Sequence, residues 1–224
     1  MTTEVETTTE TDTETEATTT TIILTSDQAK MLAGLQHAAS TDKARPVLCG
    51  ILLEWTATEL TAVATDSYMM ARRGFQFDLD GGHPEDEGSI LVEAKPFAKA
   101  LGEAAKVPIG VHMEVVGDKL TINLGGGSVS VFAAIDATFP KWERFYADDP
   151  TRHLDGLPAL APHLLEKAIK VAKGTPPVKS DIPFRLGWGT GASPSSDGAS
   201  VPFRFDLHDQ SRGVLSIIVM PVKL

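Results

Sequence analysis

The side chains in this sequence best placed to do chemistry are lysines on helices, and what they suit is contact with phosphate. Lys95, Lys99 and Lys106 fall within about 40° of one another on a helix. Lys167, Lys170 and Lys173 cover one side of a second predicted helix. Lys30 and His37 lie on a third, and Lys43 and Arg45 follow just past it. The acids among them are few: Asp27, Asp42, Glu103 and Glu166. A basic face on one helix is ordinary surface. Its repetition over three helices of an acidic protein points to a surface that meets phosphates without reading bases. No aromatic residues interleave with the lysines, so stacking on single strands is not suggested.

Other chemistry finds little support. The six histidines, His37, His83, His112, His153, His163 and His208, are scattered, and none forms a metal-ligand pair. Gly125-Gly126-Gly127 lacks the lysine and the strand-to-helix context of a phosphate loop. No Gly-x-Ser-x-Gly elbow occurs. Asp148-Asp149 reads as a solvated loop. No catalytic residue, metal site or cofactor is therefore expected, although an enzyme of unrecognised type stays open as a third reading. Cys49, the single cysteine, excludes an internal disulfide and reads as a small buried hydrophobe, in keeping with a reducing cytoplasm.

The 224 residues are 42% apolar and 22% charged, the balance of a soluble globular chain. No run of 18 apolar residues and no signal-peptide pattern occurs, so neither a membrane nor export is expected. Of the net charge of −10, residues 1–21 hold −6 (Glu4, Glu6, Glu10, Asp12, Glu14 and Glu16, with no base), leaving −4 for the body. That Thr-rich segment has too few apolar residues to offset the entropy of ordering and is expected to be a disordered, inert tail.

The body reads as one unit repeated three times: a strand, a helix, then three strands. Unit one opens with a strand at 20–24. Thr25 and Gln28 stand at capping-box spacing before a helix to about residue 39, whose stripe is Leu32, Leu35, Ala38 and Ala39. Strands follow at 47–56, 60–65 and 68–77. Unit two has a strand at 89–92, a helix at 96–105 begun by Pro96, with Phe97, Leu101 and Ala104 inward, and strands at 111–116, 119–124 and 128–135. Unit three has a strand at 153–159, a helix at 163–172 after Pro162 with Leu165, Ala168, Ile169 and Ala172 as its apolar face, and strands at 184–188, 202–207 and 213–222. Residues 189–200, rich in Gly and Ser, read as a flexible loop. Alternation such as Leu60-Thr61-Ala62-Val63-Ala64 predicts sheets buried on one face. The fold class expected is α+β, with helices on one face of antiparallel sheets. Units one and two make a complete domain over 22–135, residues 136–152 a connector, and 153–224 half a domain that must pack on something to hide its sheet edge.

Four stretches carry a resemblance. Leu60-Thr61-Ala62-Val63-Ala64-Thr65-Asp66-Ser67-Tyr68-Met69-Met70-Ala71 resembles a strand and turn of the bacterial polymerase III beta sliding clamp. Arg45-Pro46-Val47-Leu48-Cys49-Gly50-Ile51-Leu52-Leu53 resembles the segment after a clamp domain's first helix. Ile135-Asp136-Ala137-Thr138-Phe139-Pro140-Lys141-Trp142 is similar to the clamp's interdomain connector, and Ile218-Val219-Met220-Pro221-Val222-Lys223-Leu224 to its C-terminal signature. They stand in the family's order and fit best a middle domain followed by the second half of a last one.

The resemblance implies a clamp fold and a non-enzymatic processivity factor of DNA replication that encircles duplex DNA as a homo-oligomeric ring. Family rings hold twelve such units, so four chains of three units would close one, with a dimer, a trimer or an open assembly as the alternatives. Head-to-tail closure would pair an edge strand of unit three with an edge of unit one. The cations facing DNA would be Lys30, Lys43, Arg45, Lys95, Lys99, Lys106, Lys167, Lys170 and Lys173, with Arg72 and Arg73 at a strand start. A pocket for peptides of polymerase and clamp loader would use Thr65, Ser67, Tyr68, Met69 and Met70, then Pro140, Arg144 and Phe145, then Val219, Met220, Pro221 and Val222. Met69 stands where the family usually has a basic residue. The alternative is a clamp-like decoy that keeps the pocket, forms no ring and regulates partners by competition.

Overall fold

The computed structural model describes residues 19–77, 84, 86–108, 110–146, 161–173, 185–188, 203–209 and 213–219. Unit one is β1 (Thr19–Leu24), α1 (Ser26–Ala33), β2 (Gly50–Trp55), β3 (Glu59–Thr65) and β4 (Met69–Gln76). Unit two is β5 (Gly88–Glu93), α2 (Ala94–Ala104), β6 (Val111–Val116), β7 (Lys119–Gly125) and β8 (Ser128–Ala133). Unit three supplies α3 (Pro162–Lys173), β9 (Arg185–Trp188), β10 (Phe203–Asp209) and β11 (Gly213–Val219). The expected tail up to residue 18, the strand at 153–159 and the loop at 189–200 lie outside the described residues.

All strand pairs are antiparallel. One sheet runs β1-β6-β7-β8 and the other β5-β2-β3-β4-β11-β10-β9. Units one and two complete each other by exchanging opening strands. β1 lies on β6, with Leu24 opposite Val111, and β5 lies on β2, with Val92 opposite Ile51. Unit three joins through its last strand: β11 pairs with β4 from Val219 opposite Met69 to Val214 opposite Gly74. The pairing of a unit-three edge with a unit-one edge, expected between chains, thus occurs within the chain at β4, and β1 is left as unit one's free sheet edge among the described residues.

Strand alternation sorts the side chains onto two faces. Leu60, Ala62 and Ala64 of β3 join Ile51, Leu53, Ala71, Phe75, Leu215 and Ile217 beneath the helices, with Leu32, Leu35, Phe97 and Leu101 from above. Leu52, Val63, Met70, Leu91 and Ile218 point the other way. That second face was expected to be open. Instead the connector lies across it, packing Trp142 with Ile135, Phe139, Phe145 and Tyr146. Trp142 Nε1 donates to Glu54 Oε2 at 2.9 Å, and the Arg72 guanidinium sits 5.2 Å from the Trp142 ring. Burial raises the Glu54 pKa, and the indole hydrogen bond acts against that rise.

Helix ends follow local chemistry, with corrections. Thr25 Oγ1 accepts from Gln28 N at 3.2 Å, and Gln28 Oε1 accepts from Thr25 N at 2.8 Å, closing the capping box, a motif worth about 1 kcal/mol. α1 stops at Ala33 and tightens to a 3-10 turn over Gly34–His37, which still buries Leu35. A second such turn, Pro46–Cys49, occupies the start of the predicted strand, because proline holds φ near that of a helix. Pro96 is the third residue of α2 rather than its first; the missing N–H is harmless anywhere in a first turn. α3 buries Leu164, Ala168 and Val171 against the 34–37 turn and β11, while Leu165 and Ile169 stay 40% and 45% exposed. The expected stripe is therefore rotated by one residue.

Candidate functional site

The turn between β3 and β4 is held by its own side chains. Asp66 Oδ1 accepts from the amides of Tyr68 at 2.9 Å and Met69 at 2.8 Å. Thr65 Oγ1 donates to the Met69 carbonyl at 2.8 Å and accepts from Ser67 N at 3.1 Å. This clasp keeps Ser67 at φ 80°, a left-handed conformation that costs a residue with a Cβ about 1 kcal/mol. It also pushes Tyr68 outward, 62% exposed.

Between this turn and the connector lies a cavity of about 150 Å³, lined by Leu48, Thr65, Ser67, Tyr68, Met69, Met70, Pro140, Arg144, Phe145 and Ile218. Every expected pocket residue from the turn and the connector lines it. Val219 does not: it is fully buried on the helix side of β11, and its neighbour Ile218 faces the cavity. Met220, Pro221 and Val222 lie outside the described residues. Leu48 was not foreseen, because its 3-10 turn read as strand. Arg45, expected among the phosphate-facing cations, lies 3.3 Å from Oγ of the pocket-lining Ser67 and 3.2 Å from Asp42.

The basic residues divide into distinct groups. Lys43, Lys95, Lys99 and Lys106 are exposed and have no ion-pair partner among the described residues. Lys43 and Lys95 share a second cleft, of about 350 Å³, with Cys49, which is half-buried rather than buried and donates to the Asp42 carbonyl at 3.2 Å. Lys30 meets Asp27 at 3.5 Å and Lys170 meets Glu166 at 2.8 Å. The Lys170 ammonium holds the Glu166 carboxyl below its ordinary pKa. Lys167 is bonded to the same Asp66 that clasps the turn. The side chain of Lys173 is not described.

The two strand arginines do not join the helix face. Arg72 bonds Glu59 Oε1 at 3.2 Å and lies against the connector's Trp142 and Tyr146. Arg73 is buried beneath the helices, where its guanidinium donates to the Met31 sulfur at 3.3 Å. Burial lowers its pKa to about 10, so it stays a cation at neutral pH. Adjacent residues of one strand point to opposite faces, which separates the pair. Burial pushes the Tyr146 hydroxyl up, leaving it a neutral donor to the Ser216 carbonyl at 3.3 Å. Among the described residues no cluster of His, Cys, Asp or Glu could hold a metal.

Solved clamps share the fold. The DNA polymerase III beta subunit of Thermotoga maritima aligns at a TM-score of 0.57 and 19% identity, over 95% of this chain and 69% of that one. The polymerase sliding clamp of Bacillus subtilis aligns at 0.59 and 17%, over 94% and 65%. The sliding clamp of Bartonella birtlesii, solved bound to griselimycin, aligns at 0.60 and 16%, over 92% and 66%. The chain thus spans about two thirds of the length of these clamps. Residues 23–141, from β1 through both units into the connector that floors the pocket, match the family model described as DNA polymerase III beta subunit, central domain, and so the chain belongs to the DNA polymerase III beta subunit family.

Proposed function

We propose that this chain is a sliding clamp subunit, a processivity factor without enzymatic activity that acts in the cytoplasm. Copies of it encircle duplex DNA with the helices inward and hold polymerase and clamp loader by short peptides. The pocket carries this reading. It is apolar, it lies on the face opposite the helices, and its floor combines two methionines with Leu48, Phe145 and Ile218. Methionine adapts to differently shaped ligands, so one such pocket suits several peptides. Arg144 in the lining favours peptides with an acidic residue beside the apolar anchor. On the helix side, the exposed lysines of α2 offer phosphate contacts with no preferred register, as sliding needs.

Two measurements test it. Fluorescence anisotropy with a labelled peptide carrying apolar and acidic residues should show saturable binding that Met70→Ala weakens about tenfold. The full chain should stay on nicked circular duplex DNA and leave once the circle is cut. Peptide binding without retention on the circle would refute the ring and leave a competitor for clamp-binding peptides. Retention that survives cutting would refute encirclement.

A further inference from the structure

Units one and two show how a unit of this kind hides its open side. α1 packs on α2, and the first of each three-strand set receives the other unit's opening strand, β1 on β6 and β5 on β2. Among the described residues, unit three presents the same two surfaces uncovered. Its first strand, β9, pairs only with β10 among the described residues. Its helix buries Leu164, Ala168 and Val171, the same spacing as Phe97, Leu101 and Ala104 of α2. One position round, α2 buries Ala98, whereas α3 leaves the corresponding Leu165 exposed; Ile169, exposed as well, corresponds to the exposed Gly102 but carries a large apolar side chain there. The other side of unit three is taken, since β11 is paired with β4.

We infer that two copies of this chain meet through unit three, α3 against α3 as α1 lies against α2, building a composite domain across a two-fold axis. The occupant is a second copy because the surface it must match is the one units one and two already present to each other, and unit three repeats that unit. An isologous joint also places Leu165 and Ile169 of both chains in one interface, so each covers the other's apolar side chains. The inference deepens the ring reading by naming one of its joints, and rests on that reading only for what the larger assembly does.

Light scattering on the full chain tests it, with Leu165→Glu/Ile169→Glu compared against Val131→Glu, which alters the free edge of β8, where Val129 and Val131 are 58% and 56% exposed. Both variants change exposed positions, and circular dichroism with peptide binding verifies that they fold. The mass of the α3 variant should fall at least twofold, while Val131→Glu alone should retain a dimer. A wild-type mass of one chain, or a mass untouched by the α3 variant, would overturn the joint. So would a loss of all association in Val131→Glu alone. Retention on circular DNA, read on the same samples, judges the ring separately: a wild-type dimer that ignores the circle keeps the joint and sinks the ring.

Discussion

α2 and α3 begin alike, amphipathic helices with two and three lysines, and end in opposite circumstances. α2 is covered on two sides, by sheet and by α1, and buries six of its residues. Its lysines are left without acidic partners among the described residues. α3 is covered on one side. Two of its lysines are bonded to carboxylates, and two large apolar side chains face outward. The difference comes from what each unit lies beside, which leaves α2 with surface lysines unpaired among the described residues and α3 with an apolar side exposed.

The sharpest break of that comparison is a pair of truncations. Phe97 is fully buried, with its ring 5.8 Å from and perpendicular to that of Phe132. Phe97→Ala should cost about 3–5 kcal/mol in urea unfolding. Leu165→Ala at low protein concentration should stay within about 0.5 kcal/mol, and equal costs would mean that α3 is covered after all. Next comes the charge. Replacing Lys95, Lys99 and Lys106 together by alanine should lower duplex affinity more than tenfold and flatten its salt dependence by about 0.9 per lysine. Lys170→Ala should change that slope less than any one of the three. Third, Asp66→Asn keeps the turn's acceptor and loses the charge that Lys167 meets, so it should cost about 1 kcal/mol and weaken peptide binding at the pocket. An unchanged peptide affinity would show that α3 and the turn are independent. The smallest effect concerns His37, in the turn beneath α3. Burial, and then the Lys170 charge, lower its pKa below the ordinary 6.5. The unfolded chain therefore takes the proton more readily, so stability is full above pH 6.5 and falls as the pH drops through the folded value. Lys170→Ala should raise the His37 pKa, as read by imidazole chemical shifts.

Much of this was legible in the residues. The apolar patterning places each of the eleven described strands within three positions at either end, and the segments after residues 45, 60 and 135 locate the turn and connector that line the pocket. What the residues could not settle were rotations by one position. Val219 entered the expected pocket through the family resemblance, and only the pairing with Met69 and Met70 shows that its neighbour Ile218 takes the pocket's face. Leu165 rather than Leu164 was placed inward because a helix with apolar residues on a wide arc does not say which groove it will meet. Arg72 and Arg73 could have been separated in advance, since neighbours in a strand cannot share a face. The role of Asp66 had a visible signal too: an acid two residues before a tight turn is a common acceptor for that turn's amides.

The β4–β11 pair unites the last strand of one unit with the last strand of another. A joint of like with like has no direction. An assembly made only of such joints has no front and back, and its peptide pockets open equally toward both sides. Duplex DNA has the same indifference, since its two strands run opposite ways about local two-fold axes. If copies of this chain close into the proposed ring through such joints, that ring would sit equally well either way round on duplex DNA, and the sense of travel would have to come from its partners.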